Sequence, residues 1–290
     1  MAKILLIANL NCDRVLHLDK PIHLGGRFLY EDSGRRLGGG GANTGIALVM
    51  AGHQVSLSSQ VGDDQLGDWL VHQAQQKQLD CTHIKRHQQC TKELLLMVTP
   101  DGERTIIRPK RPLFELGLPE QWHEWDALYI NTSAQGASSW SQSALNNTLV
   151  VAQLAKDERS RPCHVLIASA TDMLGRSHLP CWQYGFQIAG NSLKYFIVTN
   201  GEHGATLFTE NEQFQIAADK THVIDATGAG DAYAAGLIHG LVSKASIFDA
   251  MKIAAAWAAC AVASESSIPS SRLEQYLSKK HPISVGSTPS

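Results

Sequence analysis

Short apolar runs alternate along the chain with stretches whose apolar residues recur at helical spacing. The apolar runs predict strands at 3–9, 55–61, 127–131, 165–169 and 195–199. The helical spacing predicts helices at 41–52, 65–78, 141–156, 230–242 and 247–264. Such alternation is typical of an α/β fold in which helices cover both faces of a central, mainly parallel sheet.

Four stretches depart from this alternation. Residues 12–18, 27–36, 93–99 and 104–108 alternate apolar and polar side chains, as half-buried antiparallel strands do. The Pro-Asp-Gly sequence at 100–102 predicts a turn that joins the last two as a hairpin. These strands form either an antiparallel edge of the main sheet or a separate small sheet.

Composition excludes several classes of protein. The chain has 290 residues and a formal net charge of −2, which disfavours a nucleic-acid-binding protein. Its six cysteines include no CxxC pair, so neither a zinc ribbon nor a disulfide framework is indicated. No apolar stretch approaches the roughly 20 residues of a membrane span. The first ten residues resemble a buried strand rather than a signal peptide, so a cytoplasmic location is predicted.

The string VIDATGAGD at 223–231 indicates a functional site more clearly than any other segment. Val223 and Ile224 predict a strand that stops at Asp225, and the glycines at 228 and 230 predict a turn before a helix that begins near Asp231. Free N–H groups and the positive end of the dipole make a helix start a site for phosphate. A carboxylate there is suited to accept the proton of an attacking hydroxyl. Taken alone, the string also fits ordinary turn and capping chemistry.

The DATGAGD string resembles the signature of the PfkB, or ribokinase-like, carbohydrate and nucleoside kinases, and the similarity extends from Asn9 to about Leu277. It implies a ribokinase-like three-layer fold with a central mainly parallel sheet and a small β-sheet lid. The kinase domain would cover 1–278, with the lid formed by 11–36 and 88–112, and the polar tail 279–290 would be disordered. A lid excludes water from the reaction, and in this family it often provides a homodimer contact.

In that family the second Asp of the signature is the catalytic base. The resemblance therefore assigns general-base catalysis to Asp231 and stabilisation of the transferred phosphoryl group to the backbone of Gly228, Ala229 and Gly230, with Thr227 beside them.

The string LGGGGANTG at 37–45 resembles a second family signature, whose glycines and Asn contact the sugar. A Walker loop is excluded because no GK[ST] follows, and a dinucleotide loop because Asn43 stands where glycine is required. The resemblance assigns sugar binding to Gly39 and Asn43, and also to Gly40, where ribokinases commonly have Lys. Asn11 and Asp13 match a further sugar-binding pair; taken without the family, Asp13 fits a turn at the end of the first strand better.

Nucleotide and cation sites are implied in the same way. Thr199, Gly201 and Gly204 match the family's ATP-binding turn, together with the string at 227–230; a plain strand–turn–strand connection is the alternative. Mg²⁺ would bridge the phosphates of ATP, but the family's NxxE motif is replaced by SATD at 169–172. Asp225 and Thr227 match positions that bind a monovalent cation, which implies K⁺.

The function implied is ATP-dependent transfer of the γ-phosphoryl group to a hydroxyl of a small-molecule substrate, a neutral sugar. A basic group on the lid hairpin, Arg104, Arg108, Lys110 and Arg111, is suited either to an anionic substrate or to a solvated strand edge. Asp13 would repel a phosphate, and its carboxylate favours neutral hydroxyls. A nucleoside kinase and a noncatalytic sugar-binding relative are the alternatives.

Overall fold

The computed structural model describes residues 1–118, 120–157 and 159–280. Its strands are β1 (Lys3–Ile7), β2 (Asn11–Leu18), β3 (Tyr30–Gly38), β4 (Gln54–Gly62), β5 (Ile84–His87), β6 (Leu94–Val98), β7 (Arg104–Ile107), β8 (Ala127–Ile130), β9 (Leu149–Gln153), β10 (Val165–Ser169), β11 (Tyr195–Thr199), β12 (Ala205–Phe208) and β13 (Gln213–Ile216). Its helices are α1 (Gly40–Met50), α2 (Gln65–Gln76), α3 (Ala137–Ala144), α4 (Ala170–Met173), α5 (Cys181–Ala189), α6 (Ala229–Val242), α7 (Ile247–Val262) and α8 (Ser271–Lys280).

A nine-stranded sheet forms the centre, in the order β13-β12-β11-β10-β9-β8-β1-β4-β5. The pairs from β11 across to β5 are parallel, and β12 and β13 add an antiparallel edge. Side chains of β1 alternate between two cores: Ile4 and Leu6 pack with α1, α6 and α7, whereas Leu5 and Ile7 pack with α3 and α5. Helices therefore cover both faces of the sheet, and the predicted α/β fold with three layers is confirmed.

A second, four-stranded sheet lies apart from the first, in the order β3-β2-β6-β7. We call it the lid sheet. Strands β2 and β6 are parallel, while β2–β3 and β6–β7 are antiparallel. The interpretation of these strands as an edge of the main sheet is therefore wrong. The division of the chain at 278 stays a prediction, and residues 281–290 of the predicted disordered tail lie outside the described residues.

Strand β3 of the lid sheet leads directly into α1. Gly38 ends the strand, Gly40 begins the helix, and Gly39 alone joins them, with a φ of 87°. A residue with a side chain rarely adopts this left-handed conformation. The lid sheet and helix α1 are thus connected here by a single glycine.

Two predicted elements are wrong. The helix predicted at 141–156 is divided: α3 ends at Ala144, and β9 follows from Leu149 as a strand of the central sheet. The strand predicted to stop at Asp225 is an irregular loop, in which the N–H groups of Ile224 and Asp225 both donate to the carbonyl oxygen of Val262, at 2.7 and 3.0 Å. The other predicted elements differ from the observed ones by a few residues at their ends. In the described ranges, none of the helices has the length and apolar character needed to cross a membrane.

Candidate active site

Polar residues gather at the carboxyl ends of neighbouring parallel strands. Asn9 and Asn131 follow β1 and β8, and Ser169 and Thr199 end β10 and β11. Ligands of open α/β sheets bind at this edge, because the loops there diverge and leave a crevice. The site expected from the sequence should therefore lie here.

A cavity of about 770 Å³ opens at this edge beneath the lid sheet. Its lining includes every residue predicted to bind substrate, namely Asn11, Asp13, Gly39, Gly40 and Asn43. It also includes the residues Thr227, Gly228 and Asp231 of the glycine-rich string. The structure thus brings together groups as far apart in the sequence as Asn11 and Asp231. We call this space the substrate cavity.

The carboxylate of Asp231 is held by two side-chain amides. Asn43 Nδ2 donates to Oδ2 at 2.8 Å, and Asn131 Nδ2 donates to Oδ1 at 2.9 Å. Burial raises the pKa of Asp231, and the two hydrogen bonds oppose part of that rise. Each carboxylate oxygen has a second lone pair, so the group can still accept a proton from a ligand. A raised pKa makes it a stronger base than an exposed Asp.

Asn131 is a functional candidate that sequence reasoning missed. Its signal was available, because a polar residue directly follows the apolar strand β8. The amide of Asn131 also explains why position 40 is a glycine. A Cβ atom on Gly40 would lie 2.4 Å from Asn131 Nδ2 and 3.0 Å from Asp231 Oδ1. A side chain at position 40 would therefore collide with the Asn131 amide and the Asp231 carboxylate.

The glycine-rich string forms a turn that opens helix α6. Gly228 precedes the helix with a φ of 82°, and a Cβ atom on it would lie 3.0 Å from the Cβ and the carbonyl oxygen of Ser267. Gly230 faces open space, where a side chain meets no neighbour within 4 Å. The N–H groups at the start of a helix have no carbonyl partner within it. The turn can therefore receive an anion such as a phosphoryl group.

A second cavity of about 610 Å³ lies on the other side of this turn. Its lining includes Thr199, Gly201, Gly204 and Gly230 of the predicted nucleotide-binding residues, whereas Thr227 and Gly228 face the substrate cavity. Much of the remaining lining is apolar, from β13, α6 and α7. An apolar slot beside an anion-binding turn suits an adenosine phosphate. We call it the nucleotide cavity.

Asp13 projects into the substrate cavity from β2. Its Oδ1 atom is buried and has no hydrogen-bond partner. Burial raises the pKa of Asp13 to about 6, although the charges of Arg111, Arg108 and Arg36 act to lower it. A buried acceptor without a partner is costly unless a ligand satisfies it. Beside it, the side-chain oxygen of Asn11 accepts a hydrogen bond of 2.6 Å from Arg111 Nη2.

Comparison with known families identifies the chain. A family model described as pfkB family carbohydrate kinase matches residues 1–173 and 179–273. The chain belongs to the pfkB family of carbohydrate kinases. The predicted family and the prediction of an enzyme that transfers a phosphoryl group are confirmed.

Curated relatives and a solved structure agree with the family. A fructokinase of Salmonella typhimurium is 27% identical over 252 residues, which cover 75% of this chain and 81% of that protein. A ribokinase of Lactococcus lactis subsp. lactis is 24% identical over 266 residues, which cover 88% of this chain and 88% of that protein. The structure of Arabidopsis thaliana ribokinase complexed with ribose and ATP matches with a TM-score of 0.76 at 16% identity, covering 95% of this chain and 98% of that one. The fold is therefore ribokinase-like.

The two side chains that the pfkB resemblance assigns to a monovalent cation contact an arginine. Arg104, on β7 of the lid sheet, forms an ion pair through Nη1 with Asp225 Oδ2 and donates a hydrogen bond of 3.2 Å to Thr227 Oγ1. The other oxygen of Asp225 accepts the N–H of Thr227 at 2.8 Å. These side chains do not fit a bound K⁺ while Arg104 is in place, and K⁺ binding there stays a prediction.

The pfkB position for magnesium is also altered. Ser169 Oγ accepts the N–H of Asp172 at 3.0 Å and caps α4, so it faces the helix backbone. The carboxylate of Asp172 forms an ion pair with Lys156 and lines a small cavity beside Gly228 and Asp231. Among the described residues no cluster of three metal-binding side chains exists. Asp172 and Asp231 are the acidic residues that line this small cavity, and magnesium binding there stays a prediction.

Proposed function

We propose that this protein transfers the γ-phosphoryl group of ATP to a hydroxyl of a neutral sugar, with Asp231 as the general base. The observation that carries the proposal is the position of Asp231 in the first turn of α6. There it lines the substrate cavity and also a small cavity whose other lining residues include Thr199 and Gly230 of the nucleotide cavity. Phosphoryl transfer requires the attacking hydroxyl oxygen, the phosphorus and the leaving oxygen to lie in line. A base beside the turn can take the proton of that hydroxyl while the turn receives the phosphoryl group.

The steps assigned to this chain follow from its contacts. The amides of Asn43 and Asn131 hold the Asp231 carboxylate so that its remaining lone pairs face the cavity. Asp231 takes the proton of the attacking hydroxyl. The N–H groups at the start of α6 then stabilise the charge that develops on the transferred group. The lid sheet covers the cavity and keeps out water, which would otherwise compete as the acceptor.

Magnesium bound to ATP would neutralise phosphate charge and orient the γ-phosphoryl group. Of the residues present, Asp172 would face it, through water or directly, once Lys156 yields its contact. This arrangement fits a metal that retains most of its ligands from water and phosphate.

A neutral substrate is favoured by the partners of the basic side chains. The cavity lining carries Arg104, Arg108, Arg111, Lys156 and Arg161, against Asp13 and Asp231. Arg104 contacts Asp225, Arg111 contacts Asn11, Lys156 contacts Asp172, and Arg161 donates to the carbonyl oxygen of Thr132. Four of the five basic side chains therefore already have partners within the protein, and those of Arg104 and Lys156 are carboxylates. Asp13, with its unpaired oxygen, is suited to hydroxyl groups.

A substrate panel tests the proposed function. ADP formation from Mg-ATP is measured with pentoses, hexoses, nucleosides, sugar acids and sugar phosphates. We expect a neutral sugar to give a kcat/KM at least about tenfold above every anionic compound. A preference of that size for a sugar phosphate would overturn the neutral substrate and point to the basic hairpin. A nucleoside as the best substrate would support the second candidate, and no turnover with any compound would contradict the kinase itself.

Asp13→Ala is expected to raise KM for the sugar by about tenfold or more and to leave KM for ATP nearly unchanged. A hydrogen bond to a charged group contributes roughly 1.5 kcal/mol or more, and 1.4 kcal/mol corresponds to a factor of ten. Steady-state kinetics with each substrate varied in turn measures both constants. Equal losses for sugar and ATP would show that Asp13 has a structural role instead.

The same residue predicts a pH dependence. Because its pKa is raised to about 6, Asp13 becomes protonated as the pH falls through that value, and the charge-assisted contacts to hydroxyl groups are lost. In the wild type, KM for the sugar should rise below about pH 6. In the Asp13→Ala protein this rise should disappear.

The homodimer remains a hypothesis. Apolar side chains on the lid strands, Tyr30 and Ile107, are 63% and 49% exposed. They provide a surface that a second copy could cover.

A further inference from the structure

Arg104 joins the lid sheet to the base of the anion-binding turn. It lies on β7, 121 positions before Asp225 in the sequence, and contacts both Asp225 and Thr227. The Asp225 side chain is only 3% exposed, so its charge has little contact with solvent. A buried carboxylate requires a counter-charge close by.

The oxygens of Asp225 are both used. Oδ1 accepts the N–H of Thr227, and Oδ2 receives Arg104. A hard cation would need several oxygen ligands in the same place, and it would meet the fixed charge of the guanidinium. Arginine keeps its charge at any ordinary pH, so this counter-charge is present whatever the salt in solution.

We propose that Arg104 takes the place of a monovalent cation at Asp225, so that the lid supplies the positive charge beside the anion-binding turn and the protein does not depend on K⁺. Thr227 lies one residue before Gly228, and its N–H and hydroxyl both belong to this contact network. Arg104 therefore acts as a positioning residue that holds the turn in shape through Asp225. The inference concerns the same site as the proposed function, but it is tested by nucleotide binding and stability, which do not require turnover.

The experiment measures ADP binding by calorimetry in potassium chloride and in tetramethylammonium chloride at equal ionic strength. The wild type should bind ADP with a dissociation constant that differs by less than about twofold between the salts. Arg104→Met removes the charge but keeps much of the side-chain length. Its affinity in tetramethylammonium should fall by about tenfold, within the usual range for coupled sites, and potassium should reverse most of the loss.

Arg35→Met is the matched control. Arg35 is also an arginine of the lid sheet and forms an ion pair with Glu93, but it does not line the substrate cavity. This variant should bind ADP as the wild type does in both salts. The midpoint of thermal unfolding gives a second readout: potassium should raise it by about 3 °C or more in Arg104→Met, and should leave the wild type and Arg35→Met unchanged.

Three results would overturn the inference. The first is a wild type whose affinity for ADP falls by more than about fivefold without potassium. The second is an Arg104→Met protein that binds ADP as well as the wild type in tetramethylammonium. The third is a loss of ADP affinity in Arg104→Met that potassium does not reverse. If Arg104→Met does not fold, the double variant Arg104→Met with Asp225→Asn decides. If the double variant folds without potassium, Arg104 is needed to balance the charge of Asp225. If the double variant also fails to fold, Arg104 acts through packing and the inference is wrong. A protein that binds ADP as expected but phosphorylates nothing contradicts only the proposed function.

Discussion

Asp231→Asn is expected to lower kcat by about 10² to 10⁴, the usual contribution of a positioned general base. The variant keeps the size of the side chain but has no carboxylate to accept the proton of the hydroxyl. Binding of ATP and sugar should change little, because neither the turn at Gly228 nor the sugar contacts are altered. Steady-state kinetics with the best substrate of the panel, together with calorimetry for each ligand, measures both effects.

The control is Asp68→Asn. Asp68 also lies in the first turn of a helix, α2, but it is exposed and pairs with Arg86, away from both cavities. This variant should keep the wild-type kcat. An Asp231→Asn protein that retains more than about a third of wild-type kcat would rule out Asp231 as the general base.

Gly228→Val is expected to lower kcat/KM by about 10² to 10³, since loss of one donor to a developing charge has that effect. Valine disfavours the left-handed conformation, and its Cβ would lie 3.0 Å from Ser267, so the turn or Ser267 would have to shift. The N–H groups of the turn would then point away from the phosphoryl group. Kinetics and the unfolding midpoint are measured on the same preparation.

Gly52→Val is the control that separates the loss of phosphoryl binding in Gly228→Val from the general cost of backbone strain. Gly52 has nearly the same φ, 83°, and a Cβ atom there meets nothing within 4 Å. It follows α1 at the end remote from the site. Both variants should lose stability, by about 1 to 2 kcal/mol for the left-handed valine, but only Gly228→Val should lose activity. Equal activity in the two variants would show that the turn does not form the anion-binding site.

Much of the fold could be predicted from the sequence, because the spacing of apolar residues and the length of each apolar run distinguish helices from strands. The error at 141–156 arose where β9 contributes a short apolar run, Leu149–Gln153, which periodicity cannot distinguish from a buried helical segment. Its β-branched valines were the available sign of a strand. The error at 223–225 has a different cause. Val223 and Ile224 have high strand propensity, but the N–H groups there find their acceptor at the end of α7 instead of on a neighbouring strand.

The site was predictable only as far as its motifs are continuous in sequence. The string at 225–231 and the residues near Asn43 were found, and the structure places them around one cavity. The contact of Asn131 with Asp231 spans 100 positions, and that of Arg104 with Thr227 spans 123. Neither residue belongs to a repeated local pattern, so only the tertiary arrangement shows their partners.

The single glycine between β3 and α1 has a consequence for the timing of the reaction. Asn43, which holds the Asp231 carboxylate, lies in the first turn of α1, one turn from Gly39. The N–H of Asn43 donates to the carbonyl oxygen of Gly39 at 2.9 Å, so a lid that swings outward about Gly39 would strain this hydrogen bond and disturb the amide on the base. An open enzyme with ATP bound would then have a misaligned base, and closure over a sugar would restore it. Such a connection would limit hydrolysis of ATP while the sugar is absent.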